Sequence, residues 1–147
     1  MNKSEQLFFD KLVERGESPS FSSDKQNICD HIDILSNGVR YDVKDVKKLR
    51  RGDNEGDPDI IWLEMTNVRG NKGWLQGEAD RIAFYNGKDF DVVDRKELLE
   101  FSRKLIDWDG FIVMEPLHKT PYQRENRKDL IAYIYRSEIK HLIKETI

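Results

Sequence analysis

The chain has 147 residues, 37% hydrophobic and 36% charged, with a formal net charge of −3. That length supports one domain with a single core, and the charge balance excludes a bulk polyelectrolyte binder, so a nucleic-acid partner needs local basic patches. The lone Cys29 excludes a disulfide framework and a cysteine zinc site, no apolar run approaches the ~20 residues of a membrane span, and the N-terminus lacks a signal peptide's apolar segment, which together predict a cytoplasmic protein without membrane contact.

Residues 3–15 read as an amphipathic helix capped by Ser4, with Phe8, Phe9 and Leu12 as its apolar stripe and Gly16 ending it. Residues 17–27 are polar and turn-like. Three strand candidates follow, at about 30–36, 39–46 and 59–67. Asn37-Gly38 between the first two is the strongest short hairpin signal. KKLRRGDNEGDPD, between the second and third, reads as a mobile loop. GWLQGEA reads as a short helix, and DRIAFYNGKDFDVVD as a second hairpin turning at Asn86-Gly87. Residues 95–106 form a helix capped by Asp94, FIVM at 111–114 a short buried strand, DLIAYIYR a last strand, and SEIKHLIKE a closing helix capped by Ser137. Helices before, between and after strands predict a mixed α/β domain.

Strand alternation sorts the first three strands into two faces. One carries Ile32, Ile34, Tyr41, Val43, Ile61, Leu63 and Met65, all apolar or aromatic. The other carries His31, Asp33 and Leu35, then Arg40, Asp42 and Lys44, then Trp62, Glu64 and Thr66. A hairpin symmetric about Asn37-Gly38 sets Asp33 opposite Asp42. A second turn symmetric about Asp53 sets Asp42 opposite Glu64. Carboxylates ~5 Å apart repel by roughly 3 kcal/mol at an effective dielectric of ~20. Folding needs no such row, and a divalent cation relieves it, because Mg²⁺ takes one or two carboxylates with waters and phosphate oxygens. Lys44, beside Asp42, can orient a water or offset charge developing on a phosphate. A solvated charged face without chemistry is the competing reading.

At these residues the sequence resembles the PD-(D/E)XK nuclease superfamily. YDVK followed by IIWLEMTNVRGNKGWLQGEADRIAFY, and later PYQRENRKDLIAYIY, is similar to a group of small phage- or prophage-encoded members. The resemblance implies a restriction-endonuclease-like αβββαβ core over about residues 3–93, with a mixed central sheet flanked by helices and a strand-helix extension over about 94–147. It implies an acid on the second core strand and an acid-x-lysine on the third, holding Mg²⁺ or Mn²⁺ for phosphodiester hydrolysis, in a phage-infected or lysogenic bacterial cell. Two alignments are open. In the preferred one Asp42 and Glu64 are the acids, Thr66 stands where the family usually has lysine, and Lys44 replaces it from the neighbouring strand. In the other, Asp33 is the first acid, Asp42-Val43-Lys44 is the intact acid-x-lysine, and Glu64 is an extra ligand. The resemblance also offers Glu5, on the first helix, as a metal ligand, against an ordinary first-turn acid. It offers Gln76 as a polar residue near the site, against a surface glutamine.

Three basic clusters flank the acids: Lys47, Lys48, Arg50 and Arg51; Arg69 and Lys72; Arg124, Arg127 and Lys128. Each is either a phosphate contact or a solvated loop. Trp62 and Trp74 either stack on bases or pack on the sheet. His31, His118 and His141 are too scattered for a metal trio. The expected activity is a Mg²⁺-dependent endonuclease acting on DNA in preference to RNA, with a homodimer compatible with double-strand cutting. The alternative, motivated by Thr66, is an inactive nuclease-fold module that binds nucleic acid or a host protein.

Overall fold

The computed structural model describes residues 2–147 and is built on a mixed six-stranded sheet. Helix α1 (Lys3–Glu14) is capped by Asn2, whose side chain accepts from the Glu5 N–H while the Glu5 carboxylate accepts from the Asn2 N–H at 2.7 Å. The cap is therefore Asn2 and not Ser4, because glutamate three positions on completes a reciprocal pair. The turn-like segment holds a short strand, β1 (Ser20–Phe21), and then α2 (Asp24–Asp30), capped by Ser23 and Gln26 in the same reciprocal way. Strand β2 (Ile34–Ser36) thus starts later than expected. It turns through Asn37 and Gly38, both at positive φ, into β3 (Val39–Lys44), and Ile34 pairs with Tyr41 in the register expected from a symmetric turn.

The third expected strand is present as β4 (Ile60–Thr66), but it does not pair with β3. A 3₁₀ turn (Trp74–Gln76) leads instead to β5 (Arg81–Tyr85), which runs parallel to β3 with Asp42 beside Ile82. Strand β6 (Phe90–Asp94) closes the second hairpin, and α3 (Arg95–Leu105) follows with Asp94 as its cap. Strand β4 pairs with β7 (Leu130–Tyr135) in a separate two-stranded ribbon, Glu64 facing Ile131. The closing segment is 3₁₀ (Arg136–Leu142) and then a strand, β8 (Ile143–Thr146), on the outer edge of β6. Glu138, not Ser137, caps it by accepting from the Tyr135 N–H, and Ile143–Thr146 pairs with an edge that would otherwise stay open. The large sheet runs β1-β2-β3-β5-β6-β8. Residues beyond 94 add a strand to each sheet, β7 beside β4 and β8 beside β6.

Three layers result. Phe8 and Leu12 of α1 pack on one face of the sheet with Ile34, Tyr41, Val43, Ala83 and Val92. The ribbon and α3 pack on the other, where Ile61, Leu63, Ala132 and Ile134 meet Ile82, Phe84, Val93 and Leu98. Ile82, Ala83 and Phe84 alternate between the two cores, as a strand covered on both sides requires. Residues 111–114 are not a buried strand: Phe111 is 92% and Met114 80% exposed, and only Val113 makes a bridge, to Tyr122. Among the described residues no helix is long and apolar enough to cross a membrane.

Candidate metal and nucleic-acid site

Although β3 and β4 belong to different sheets, most of the expected residues meet. Glu5, Asp33, Asp42, Lys44 and Glu64 line one cavity of about 890 Å³. Each arrives by a different local device. The capping box holds Glu5 in the first turn of α1. His31, in the left-handed conformation at the end of α2, redirects the chain so that Asp33 heads β2. Asp42 and Lys44 are alternate residues of β3 and share a face.

Asp33 is held on both oxygens. One accepts from the Val43 N–H at 2.7 Å and the other from the Asn27 side-chain amide at 2.6 Å. Asp42 is 2% exposed. One of its oxygens lies 3.0 Å from Lys44 Nζ, and the other is buried without a hydrogen-bond partner. An uncompensated buried carboxylate oxygen is costly, and its presence here is the least expected feature of the fold. Burial pushes the Asp42 carboxyl above its ordinary value; Lys44, and to a smaller extent a hydrogen-bonding contact with Asp33, pull it back, while the charge of Glu64 pushes it up. Burial also raises Asp33, and the Asp42 charge adds to that. Glu5 is raised by burial against the pull of the Asn2 N–H, with its hydrogen-bonding contact to Asp33 contributing upward. Glu5, Asp33 and Asp42 therefore form a run of carboxyls that hold protons more tightly than isolated ones.

Glu64 has a second occupation. Its Oε1 accepts from the Trp74 N–H at 3.2 Å, and Gly73 lies so close that a Cβ there would stand 2.4 Å from the Glu64 carbonyl oxygen. The GWLQG stretch is thus a tight clip onto β4, and its first glycine is dictated by that approach. Gln76 fastens the same clip by donating to the Met65 carbonyl at 2.8 Å. It lies outside the cavity lining, as does Thr66, which pairs with Leu130 and bridges to Lys72. Trp74 packs edge-on against Phe84 at 6.0 Å, and the Lys44 ammonium sits 4.8 Å from the centre of its ring.

Of the basic clusters, Lys47, Lys48, Arg50 and Arg51 line the cavity, and so do Arg124 and Arg127; Arg69 and Lys72 do not. Arg50 makes a 3.7 Å ion pair with Glu115, and the Arg124 guanidinium is bound to the buried Asp129. Sequence reasoning missed Asn27, which steadies Asp33, and Arg136, which lines the same cavity while bound to Asp91 at 3.0 Å. The S-x-x-Q capping box at Ser23 was the available signal for α2, and hence for Asn27.

Among the described residues no group of three His, Cys, Asp or Glu side chains is arranged to hold a metal ion as it stands. A Mg²⁺ site needs less, because that ion keeps waters and takes phosphate oxygens beside one or two carboxylates. The free Asp42 oxygen and its neighbour Asp33 supply hard oxygen donors of that kind. Comparison with protein-family models, with curated proteins and with solved structures finds no match.

Proposed function

We propose that the chain is a metal-dependent nuclease of the PD-(D/E)XK type. The observation that carries this reading is the Asp42 carboxylate, almost wholly buried beside Asp33 and Glu5 with one oxygen unpartnered, in a cavity rimmed by basic side chains. Asp42 and Asp33 would hold the ion, with Glu5 lining the same cavity near Asp33. The metal would supply an acidified water and neutralise charge on the phosphate. Lys44, 3.0 Å from Asp42, would orient that water or offset charge on the scissile group.

The strand order favours the second of the two alignments. Read along β1-β2-β3-β5, Asp33 heads the second strand, and Asp42-Val43-Lys44 lies on the third, which runs parallel to the next. The acid-x-lysine is then intact, and Thr66 replaces nothing. Glu64 becomes a neighbouring charge that also clips the 3₁₀ turn. A binding-only module is the second reading. One observation favours it: Lys44 already occupies one oxygen of Asp42.

Calorimetric titration of Mg²⁺ and Mn²⁺ into wild type and Asp42→Ala, beside a cleavage screen on plasmid, single-stranded and branched DNA and on RNA, decides between them. Metal binding and cleavage that both vanish in the variant support the nuclease. Nucleic-acid binding without turnover under either metal supports the module.

A further inference from the structure

The β4–β7 ribbon presents an aromatic surface to the same cavity. Trp62 and Tyr133 are directly paired across the ribbon, with ring centroids 5.4 Å apart, and Tyr122, which bridges to Ile131 of β7, has its ring 5.8 Å from that of Trp62. Trp62 and Tyr122 are half-exposed, and both line the cavity. The indole does not swing freely: its Nε1–H donates to the Lys48 carbonyl at 2.9 Å, which ties it to the basic loop. Lys48, Arg51 and Arg127 line the same cavity and make no ion pair among the described residues. Met114, 80% exposed, adds a soft apolar group there. Trp62 and Glu64 are alternate residues of β4 and so lie on one side of it, about 7 Å apart along the strand.

A fixed, half-exposed indole among unpaired cations, one strand repeat from the acids, suits a base whose face is available. A base inside a duplex hides both faces in its stack, whereas an unpaired base offers its face to an aromatic ring while cations hold its phosphates. We infer that the cavity takes single-stranded nucleic acid, or an unpaired segment at a junction or flap, with one base stacked on Trp62 and its backbone held by Lys48, Arg51 and Arg127. This inference rests on the nuclease reading for its purpose but not for its test.

The test is fluorescence anisotropy of a labelled 12-nucleotide oligo(dT), an equal-length oligo(U) and a 12-base-pair mixed-sequence DNA duplex, all in EDTA so that no hydrolysis intervenes. Wild type is expected to bind oligo(dT) at least tenfold more tightly than the duplex. Trp62→Leu, which keeps an apolar filler against Tyr133, is expected to weaken single-strand binding five- to a hundredfold, the range of one stacked base, and Trp62→Phe to retain most of it. Oligo(U) serves to rank RNA against DNA. Equal or tighter duplex binding, no binding of either single strand, or unchanged affinity in a folded Trp62→Leu would overturn the inference. Trp62-dependent single-strand binding without metal-dependent cleavage would instead sink the nuclease reading and leave this one standing.

Discussion

Asparagine in place of Asp42 should make the protein more stable while abolishing the proposed metal-dependent cleavage. The Asp42 carboxyl is 2% exposed, and its one partner is Lys44 Nζ at 3.0 Å. Burial raises its pKa above the ordinary 3.8, and the lysine offsets only part of that. A folded-state pKa above the unfolded value means that the folded chain binds the proton more tightly. Below about pH 4 the group is neutral in both states and costs nothing. As the pH rises through the raised value, the folded state is progressively destabilised, and a neutral amide of the same shape escapes that penalty. The amide also removes the Asp42 charge that raises the neighbouring Asp33. Loss of the Lys44 pair opposes this, but the lysine side chain is 23% exposed and can turn to water.

The expected net gain is about 2 kcal/mol at pH 8 in EDTA, or roughly 4–8 °C in Tm for a domain of this size. It should shrink toward zero at pH 4. Thermal unfolding followed by circular dichroism at both pH values gives the answer. Added Mg²⁺ should then raise the Tm of wild type but not of the variant, because only a state that binds the ion is stabilised by it. An Asp42→Asn protein less stable than wild type at pH 8 in EDTA would refute the reasoning. It would mean that the Asp42–Lys44 pair holds the fold together and that the acid is not being kept for a ligand.

Lys44→Met should lower metal-dependent cleavage at least a hundredfold while leaving Mg²⁺ affinity by calorimetry unchanged or tighter, since the competing ammonium is gone from Asp42. Gly73→Ala should cost about 3 kcal/mol or more in urea unfolding, because its Cβ would meet the Glu64 carbonyl oxygen at 2.4 Å and the backbone there cannot yield cheaply. Phe8→Ala should cost about 3–5 kcal/mol by the same measurement, as its ring is fully buried with centroids 5.0 Å from both Tyr41 and Phe90. Unlike Asp42→Asn, the two packing variants should lose stability equally with and without Mg²⁺.

What the sequence made legible was local. Asn37-Gly38 set the β2–β3 register because both turn residues adopt positive φ, and Asp94 caps α3 as expected, accepting from the Glu97 N–H. What it hid was pairing at a distance. Symmetry about Asp53 predicted that β4 would follow β3 in one sheet, yet a long loop sets no register, and β5 took the β3 edge in parallel. The apolar residues of β4 satisfied either outcome, because Ile61, Leu63 and Met65 are buried under the sheet just as they would have been within it. FIVM misled for a related reason. Its composition is that of a strand, but no neighbouring strand offers it an edge, and three of its four residues are exposed.

The acids survived this rearrangement, and that fact carries weight. The row across three strands was inferred from the β2–β3 register, which is present, and from a β3–β4 pairing, which is not, yet Asp33, Asp42 and Glu64 still line one cavity, joined there by Glu5 from a helix. The alternation that put Asp42 and Lys44 on one face of β3 is a property of the strand and holds whichever neighbour it has. Glu64 reaches the same space from a different sheet because the Gly73 clip draws β4 toward the end of β3, where Trp74 meets both Glu64 and Lys44. A solvated charged face would leave these groups in water with ordinary proton affinities. Here Asp42 is buried with an oxygen unpartnered, and Glu5, Asp33 and Asp42 are all raised. A divalent cation, as the proposed nuclease reading has it, would offset the cost of burying these acids, and the basic side chains that line the same cavity would suit a phosphate.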